Sequence, residues 1–294
     1  MVIIGENIHV IAGVVNQAIK VRDSKPIQDL AKSQVQAEAD YLDLNLGPLT
    51  KNPEETIRWV INTVQQVTDL PLSLDTMNPV AMEAGLPLCN KRPLINSASG
   101  KKDSKERMLP LAKKYNCDVV VSVINDRGMP PDVEMKTESI MDTVAHANEL
   151  GIPSEDMWVD PIVLPVSTAG EGQCFAQASL EFIKIIAEVL PGIKSTVGLS
   201  NISNGAPNEL RPLLNRTYLV MLQRYGLYSV IADPLDKEIM SLIQGEMTDV
   251  VSLIYRIMDG EVIDLSSLSQ KEIDYVKTAR VLTGEVLYSD AWLD

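Results

Sequence analysis

Six side chains able to hold a ligand or move a proton, Glu6, Asp43, Asp75, Asn96, Asp160 and Asn201, each lie in or close a short apolar run. The runs are Ile3-Ile4-Gly5-Glu6-Asn7, Leu42-Asp43-Leu44-Asn45, Leu72-Ser73-Leu74-Asp75 and Leu94-Ile95-Asn96. Val119 to Ile124 ending on Asn125, Trp158-Val159-Asp160-Pro161, Val197-Gly198-Leu199-Ser200-Asn201 and Val230-Ile231-Ala232-Asp233 complete the series. Residues two apart on a strand share a face, so Asp43 goes with Asn45 and Ser73 with Asp75. At any one strand end, Asp or Asn is as readily a helix cap. Eight acidic or amide ends with almost no basic ones are harder to assign to capping alone.

The missing groups narrow the chemistry. No Lys at a strand end offers a Schiff base, there is no Ser-His-Asp set, and Gly170-Glu171-Gly172 has the wrong charge for phosphate. Two histidines (His9, His146) and three scattered cysteines (Cys89, Cys117, Cys174) argue against a metal centre and a disulfide framework. What remains suits a neutral heterocycle with an edge of N–H donors beside a carbonyl. A carboxylate accepts two parallel N–H bonds from such an edge, and an Asn amide both donates and accepts. A pterin presents that edge.

The ends need elements to gather them. Asn52-Pro53-Glu54-Glu55 reads as an N-cap, a proline at the first helical position and an acidic third position. Ile57, Val60, Ile61, Val64 and Val67 follow at helical spacing, and Leu180, Ile183, Ile186, Ala187 and Leu190 repeat it. Gly151 and Gly226 fall where helices end ahead of strands. Strands alternating with helices, without hairpin turns, predict a parallel sheet. Eight such units in 294 residues predict an α/β protein with one closed (β/α)8 barrel domain spanning 1–294. An open doubly wound sheet would carry a GxGxxG turn, which Gly5-Glu6-Asn7 is not. In a barrel, the loops after the strands build the site. Residues 236–276 depart from the repeat: Ile239 to Met258 reads as one helix or two broken near Gly245, and Ser269-Gln270-Lys271-Glu272 as a capping box. They are expected to be a helical elaboration of the last βα unit, serving as scaffold.

A formal net charge of −14 without a basic cluster excludes a nucleic-acid partner. No apolar run approaches the ~20 residues that span a bilayer. The opening Met1 to Glu6 reads as a strand and not a signal peptide, so a cytoplasmic protein is expected.

Leu74-Asp75-Thr76, Ile95-Asn96-Ser97, Val159-Asp160-Pro161, Gly198-Leu199-Ser200-Asn201-Ile202-Ser203 and Arg211-Pro212-Leu213-Leu214-Asn215-Arg216-Thr217 occur in that order. As a set they resemble the pterin-binding barrel methyltransferases, above all the methyltetrahydrofolate:corrinoid protein methyltransferases, a family also similar to the folate domain of cobalamin-dependent methionine synthase. The resemblance runs from Gly5-Glu6 to about Asp233 and resumes near Thr278 to Asp290. It implies that Asp75, Asn96 and Asp160 hold the pterin by its pyrimidine edge and that Asn201 sits near N5. Asn204 and Arg211 would contact the rest of the folate or support the Asn201 loop, while Glu6 and Asp43 line the same rim. The implied reaction is SN2 methyl transfer between N5 of tetrahydrofolate (5-methyltetrahydrofolate once methylated) and the cobalt of a corrinoid, a cobalamin-type cofactor carried by a partner protein. Asn201 and Asp160 would serve the proton at N5 through water. A homodimer is implied as well, and the segment before the last helix leans the reading toward an anaerobic demethylase system that methylates tetrahydrofolate. Two rivals stand beside it. A dihydropteroate synthase-like enzyme would need an Arg-Lys pair where this chain has Asn201-Ile202-Ser203, and a non-catalytic folate-binding protein would not need Asp75, Asn96, Asp160 and Asn201 together.

Overall fold

Eight short runs, buried almost continuously, close the chain into a barrel, seen in a computed structural model that describes residues 1–293. The strands are β1 (Val2–His9), β2 (Tyr41–Asn45), β3 (Leu72–Asp75), β4 (Leu94–Ser99), β5 (Asp118–Ser122), β6 (Met157–Asp160), β7 (Lys194–Ser195) and β8 (Ser229–Ala232). All are parallel, in the order β7-β6-β5-β4-β3-β2-β1-β8. The last seam, between β7 and β8, is drawn together beyond the end of β7, where Gly198 bridges Ile231 and Ile231 N–H donates to the Val197 carbonyl at 2.9 Å.

The helices are α1 (Gly13–Val21), α2 (Ser24–Gln36), α3 (Pro53–Gln65), α4 (Pro79–Gly85), α5 (Lys102–Tyr115), α6 (Val133–Glu149), α7 (Gly172–Val189), α8 (Arg211–Arg224), α9 (Lys237–Ile243), α10 (Thr248–Met258) and α11 (Gln270–Leu282). Among the described residues, none is long and apolar enough to cross a membrane. The stripe on α3 is buried through Ile57, Val60, Ile61 and Val64. Residues 236–276 hold two helices separated at Gly245 (φ +83°), then the capping box, with Ser269 N–H donating to Glu272 Oε2 at 2.8 Å. Ile239, Leu242, Leu253, Ile254 and Ile257 are buried, and α11 packs against α7, α8 and α10.

Four details depart from the sequence reading. The seventh strand is Lys194–Ser195, and Leu199–Ser203 winds into a 3-10 turn. Hydroxyls offer that backbone local partners, with Ser203 Oγ donating to the Ser200 carbonyl, and this competes with a strand. The fifth strand stops at Ser122, because Asn125 and Gly128 exchange backbone hydrogen bonds at 2.9 and 3.1 Å in a tight turn. Asn52 takes a left-handed φ of +45° and its side chain caps nothing; Pro53 and the two glutamates open α3 instead. Ala187 on α7 faces solvent, and Phe182 takes the buried place beside Leu180, Ile183 and Ile186.

The barrel interior is layered. Ile4, Leu94, Val120 and Trp158 form its inner apolar cluster, with Val2, Tyr41 and Ile231 against it. Two residues farther along the same strands stand Glu6, Asn96, Ser122 and Asp160, so alternation puts apolar floor and polar rim on one inner face. Trp158 stoppers the floor, with Tyr41 and Tyr228 edge-on at 5.6 and 5.3 Å. Its indole N–H donates to Asp118 at 2.9 Å, and Asp118 also pairs with Arg92 at 3.0 Å and Lys194 at 3.1 Å. Removing so large a buried ring leaves a cavity that the strands cannot fill. Trp158→Ala is therefore expected to cost about 3–5 kcal/mol in urea unfolding, and an unchanged midpoint would show that the floor does not depend on this stopper.

Candidate active site at the barrel mouth

Register sets the rim. Asp43 is level with Ser73, Asn45 with Asp75, Asp75 with Asn96, and Ser122 with Asp160. Asp43 is buried and accepts from Ser73 Oγ at 2.6 Å and from Asn96 Nδ2 at 3.2 Å. Asp75 accepts from Asn45 Nδ2, and Asp160 Oδ1 from Ile162 N–H at 2.8 Å. The Asn96–Ser97 peptide is cis.

Crowding and dryness push these carboxyls toward their neutral forms. Burial carries Asp43 up to about 6 in spite of its two hydrogen bonds. Burial, then the charges of Asp43 and Asp160, hold Asp75 well above the usual carboxylate range. Asp160 rises to about 6 through burial, opposed by Ile162 N–H and by Lys136. Glu6 reaches about 7: burial outweighs its bond from Ser200, Asp233 and Asp43 add to the rise, and Arg211 opposes it. A mouth built this way holds protons up to neutral pH and can exchange them there.

A second group sits over β7 and β8. Ser200 Oγ donates to Glu6 at 3.0 Å, and Asn7 Nδ2 to Asp233 at 2.9 Å. Arg211 donates to Ser203 Oγ at 3.2 Å and Asn204 Oδ1 at 3.1 Å, and Asn204 passes a bond to Asn201 Oδ1 at 3.4 Å. Gly198 matters here because a Cβ on it would lie 3.0 Å from the Asn201 amide nitrogen. A cavity of about 250 Å³ opens between Glu6, Ser200, Arg211, Asn215 and Asp233.

Asp43, Asp75, Asn96 and Asp160 thus form one cluster, with Glu6 tied to it electrostatically through Asp43. Asn201, Asn204 and Arg211 form the relay above, joined to Glu6 by Ser200. Asn125 does not join either group; its side chain accepts Arg127 N–H in its own turn. The rim is also less purely acidic than the strand ends imply. Lys136, from α6, is fully buried and donates to the Pro161 carbonyl at 2.6 Å. Strand-end reading misses it, although it heads a helical stripe continued by the buried Ile140, Thr143, Val144 and Ala147.

Comparison with known proteins agrees with this geometry. The family model for pterin binding enzymes matches residues 14–231. A methylcorrinoid:tetrahydrofolate methyltransferase of Eubacterium limosum is 32% identical over 245 residues, 83% of this chain and 89% of that protein. A methionine synthase of Mycobacterium leprae is 26% identical over 74% of this chain, which spans only 19% of that longer protein. The solved dihydropteroate synthases of Xanthomonas albilineans, in complex with 7,8-dihydropteroate, and of Thermus thermophilus share the fold. Each has a TM-score of 0.58 and covers 83% of this chain, with 18% and 20% identity over 92% and 93% of their own chains.

The raised carboxyls make the ligand-free fold sensitive to pH, and the sign is fixed. Glu6 binds its proton more tightly folded (about 7) than at its ordinary value of 4.5, so its contribution to stability is full below about 4.5 and is lost as pH rises through 7. The thermal midpoint is expected to fall between pH 5 and 8. Glu6→Gln, which keeps an acceptor for Ser200, should flatten that fall by roughly 2–4 kcal/mol. An equally steep fall in the variant would mean that Glu6 titrates as it would in water.

Proposed function

The chain belongs to the pterin binding enzymes and, among them, to the tetrahydrofolate–corrinoid methyltransferase family; from that premise we propose that it moves a methyl group between a corrinoid protein and N5 of tetrahydrofolate. We take the direction as methylcorrinoid to tetrahydrofolate, the one named for the Eubacterium limosum relative. The observation that carries the reading is the ring of Asp43, Asp75, Asn96 and Asp160 at the mouth. Its donor set suits a pterin. One oxygen of Asp75 is committed to Asn45 and one of Asp160 to Ile162, while Asn96 spends an N–H on Asp43. Each keeps acceptor capacity for the N–H edge of the heterocycle.

In this reading Asp75, Asn96 and Asp160 hold the pterin edge, and Asp43 orients Asn96. The partner's corrinoid supplies the cobalt that gives or takes the methyl group. The chain's own residues manage the proton at N5, which must leave when N5 is methylated and return when it is demethylated. Asn201, steadied by Asn204 and Arg211, presents its amide to N5. Asp160 and Glu6, titrating near 6 and 7, take up or release the proton through water. A cytoplasmic homodimer belongs to the same reading. The likeness to dihydropteroate synthases is one of fold, and Asn201-Ile202-Ser203 offers no cationic pair for a diphosphate leaving group.

Mixing the protein with methylcobalamin and tetrahydrofolate should yield 5-methyltetrahydrofolate, faster than the reverse pair reacts. Calorimetry that shows no heat with either folate would remove the reading. Asn201→Ala should slow transfer by about 10²-fold while leaving tetrahydrofolate affinity within a few-fold, because its contact matters most in the transition state. Matching losses in rate and affinity would reassign Asn201 to binding alone.

A further inference from the structure

Helix α6 points one lysine inward. Lys136 has no exposed surface, and burial pushes its ammonium down to about 8, with the charges of Asp160 and Asp132 opposing the fall. A buried cation is costly unless anions and acceptors surround it. Its hydrogen bond goes to the Pro161 carbonyl, one residue beyond Asp160. Asp160 in turn accepts Ile162 N–H, and Ile162 stands at φ +55°, a conformation that strains a β-branched residue. Three consecutive residues are thus tied at two points and held in a conformation they would not choose alone. Besides each other, the ionisable groups facing the pair are Asp75 across the mouth and Asp132 at the cap of α6.

We propose that Lys136 is a positioning residue for Asp160: its bond to the Pro161 carbonyl pins the Asp160-Pro161-Ile162 turn and sets a buried ammonium behind it, so that Asp160 meets the pterin edge as an acceptor. The inference rests on the pterin reading of the mouth and deepens it. Asp160 has a fully buried cation behind it, where Glu6 has the half-buried Arg211. Burial lifts Asp160 to about 6, against the pull of Lys136 and Ile162 N–H. Without the ammonium, Asp160 would hold its proton more tightly and, as pH falls, would sooner offer a donor where the pterin N–H groups need an acceptor. Folate affinity should therefore weaken as pH falls through about 6, where Asp160 takes up its proton.

The test is tetrahydrofolate affinity by anaerobic calorimetry from pH 5.5 to 9.5, in wild type, Lys136→Gln and Lys136→Arg. Glutamine keeps a donor for the Pro161 carbonyl without the charge. Its acid limb should move up by about one pH unit, lowering affinity about fivefold at pH 6 while leaving it within about twofold of wild type at pH 9.5. Arginine keeps the charge and a donor for the Pro161 carbonyl, so its acid limb should stay with that of wild type. This second readout stands even if the glutamine variant does not fold. An unmoved limb in Lys136→Gln, an equal loss at every pH, or an acid limb that moves up in Lys136→Arg overturns the inference alone. Wild-type protein that binds no folate at any pH takes down the pterin reading and this inference together.

Discussion

Carboxyl groups gathered where water is scarce resist ionising together, and the mouth of this barrel is arranged around that resistance. Asp43, Asp75, Asp160 and Glu6 come from four strands, so no local rearrangement separates them. The protein answers with neutral donors: Ser73 and Asn96 for Asp43, Asn45 for Asp75, Ser200 for Glu6. It also brings two cations to the edges, Arg211 beside Glu6 and Lys136 behind Asp160. The outcome is a graded set of acids. Such a gradient suits the proposed function, in which the mouth holds a heterocycle and exchanges a proton with it.

The other end of the barrel handles charge differently. Asp118 is met by Arg92, Lys194 and the Trp158 indole, and the aromatic groups around it close the floor. There the carboxylate is met by two cations and an indole N–H, and it is structural. At the mouth, acceptor capacity is left over on Asp75 and Asp160, and groups left short of partners in a folded protein are where ligands are taken up. Strand alternation links the two ends, since Trp158 and Asp160 share one face of one strand.

That alternation is why most of the fold is readable from sequence. Apolar runs closing on Asn45, Asp75 and Asp160 announce both the strand and the side its end faces. The turn at Asn201 is harder to foresee, because the Ser203 hydroxyl takes the Ser200 carbonyl that a ladder would use. Asn125 misleads for a related reason, as its side chain and backbone make a turn with Arg127 and Gly128. Lys136 is hidden by its type. Lysine belongs to the surface by default, and only its place on a buried helical stripe marks it as an inward residue. The comparison with the Eubacterium limosum protein adds the class of chemistry, which no pattern of burial specifies.

The seam between β7 and β8 has one more bearing on the site. Seven of the eight strand contacts are ladders, whereas this one is a single bridge at Gly198, two residues short of Ser200. Toward the floor the same seam is held through Ser195, whose Oγ accepts Tyr228 N–H and whose carbonyl accepts Ser229 Oγ, both at 3.1 Å. The relay of Asn201, Asn204 and Arg211 lies beside this lightly joined edge, while Asp75, Asn96 and Asp160 stand on strands joined by ladders. In the proposed function, gripping a heterocycle and meeting an incoming reaction partner then fall to differently built parts of the wall.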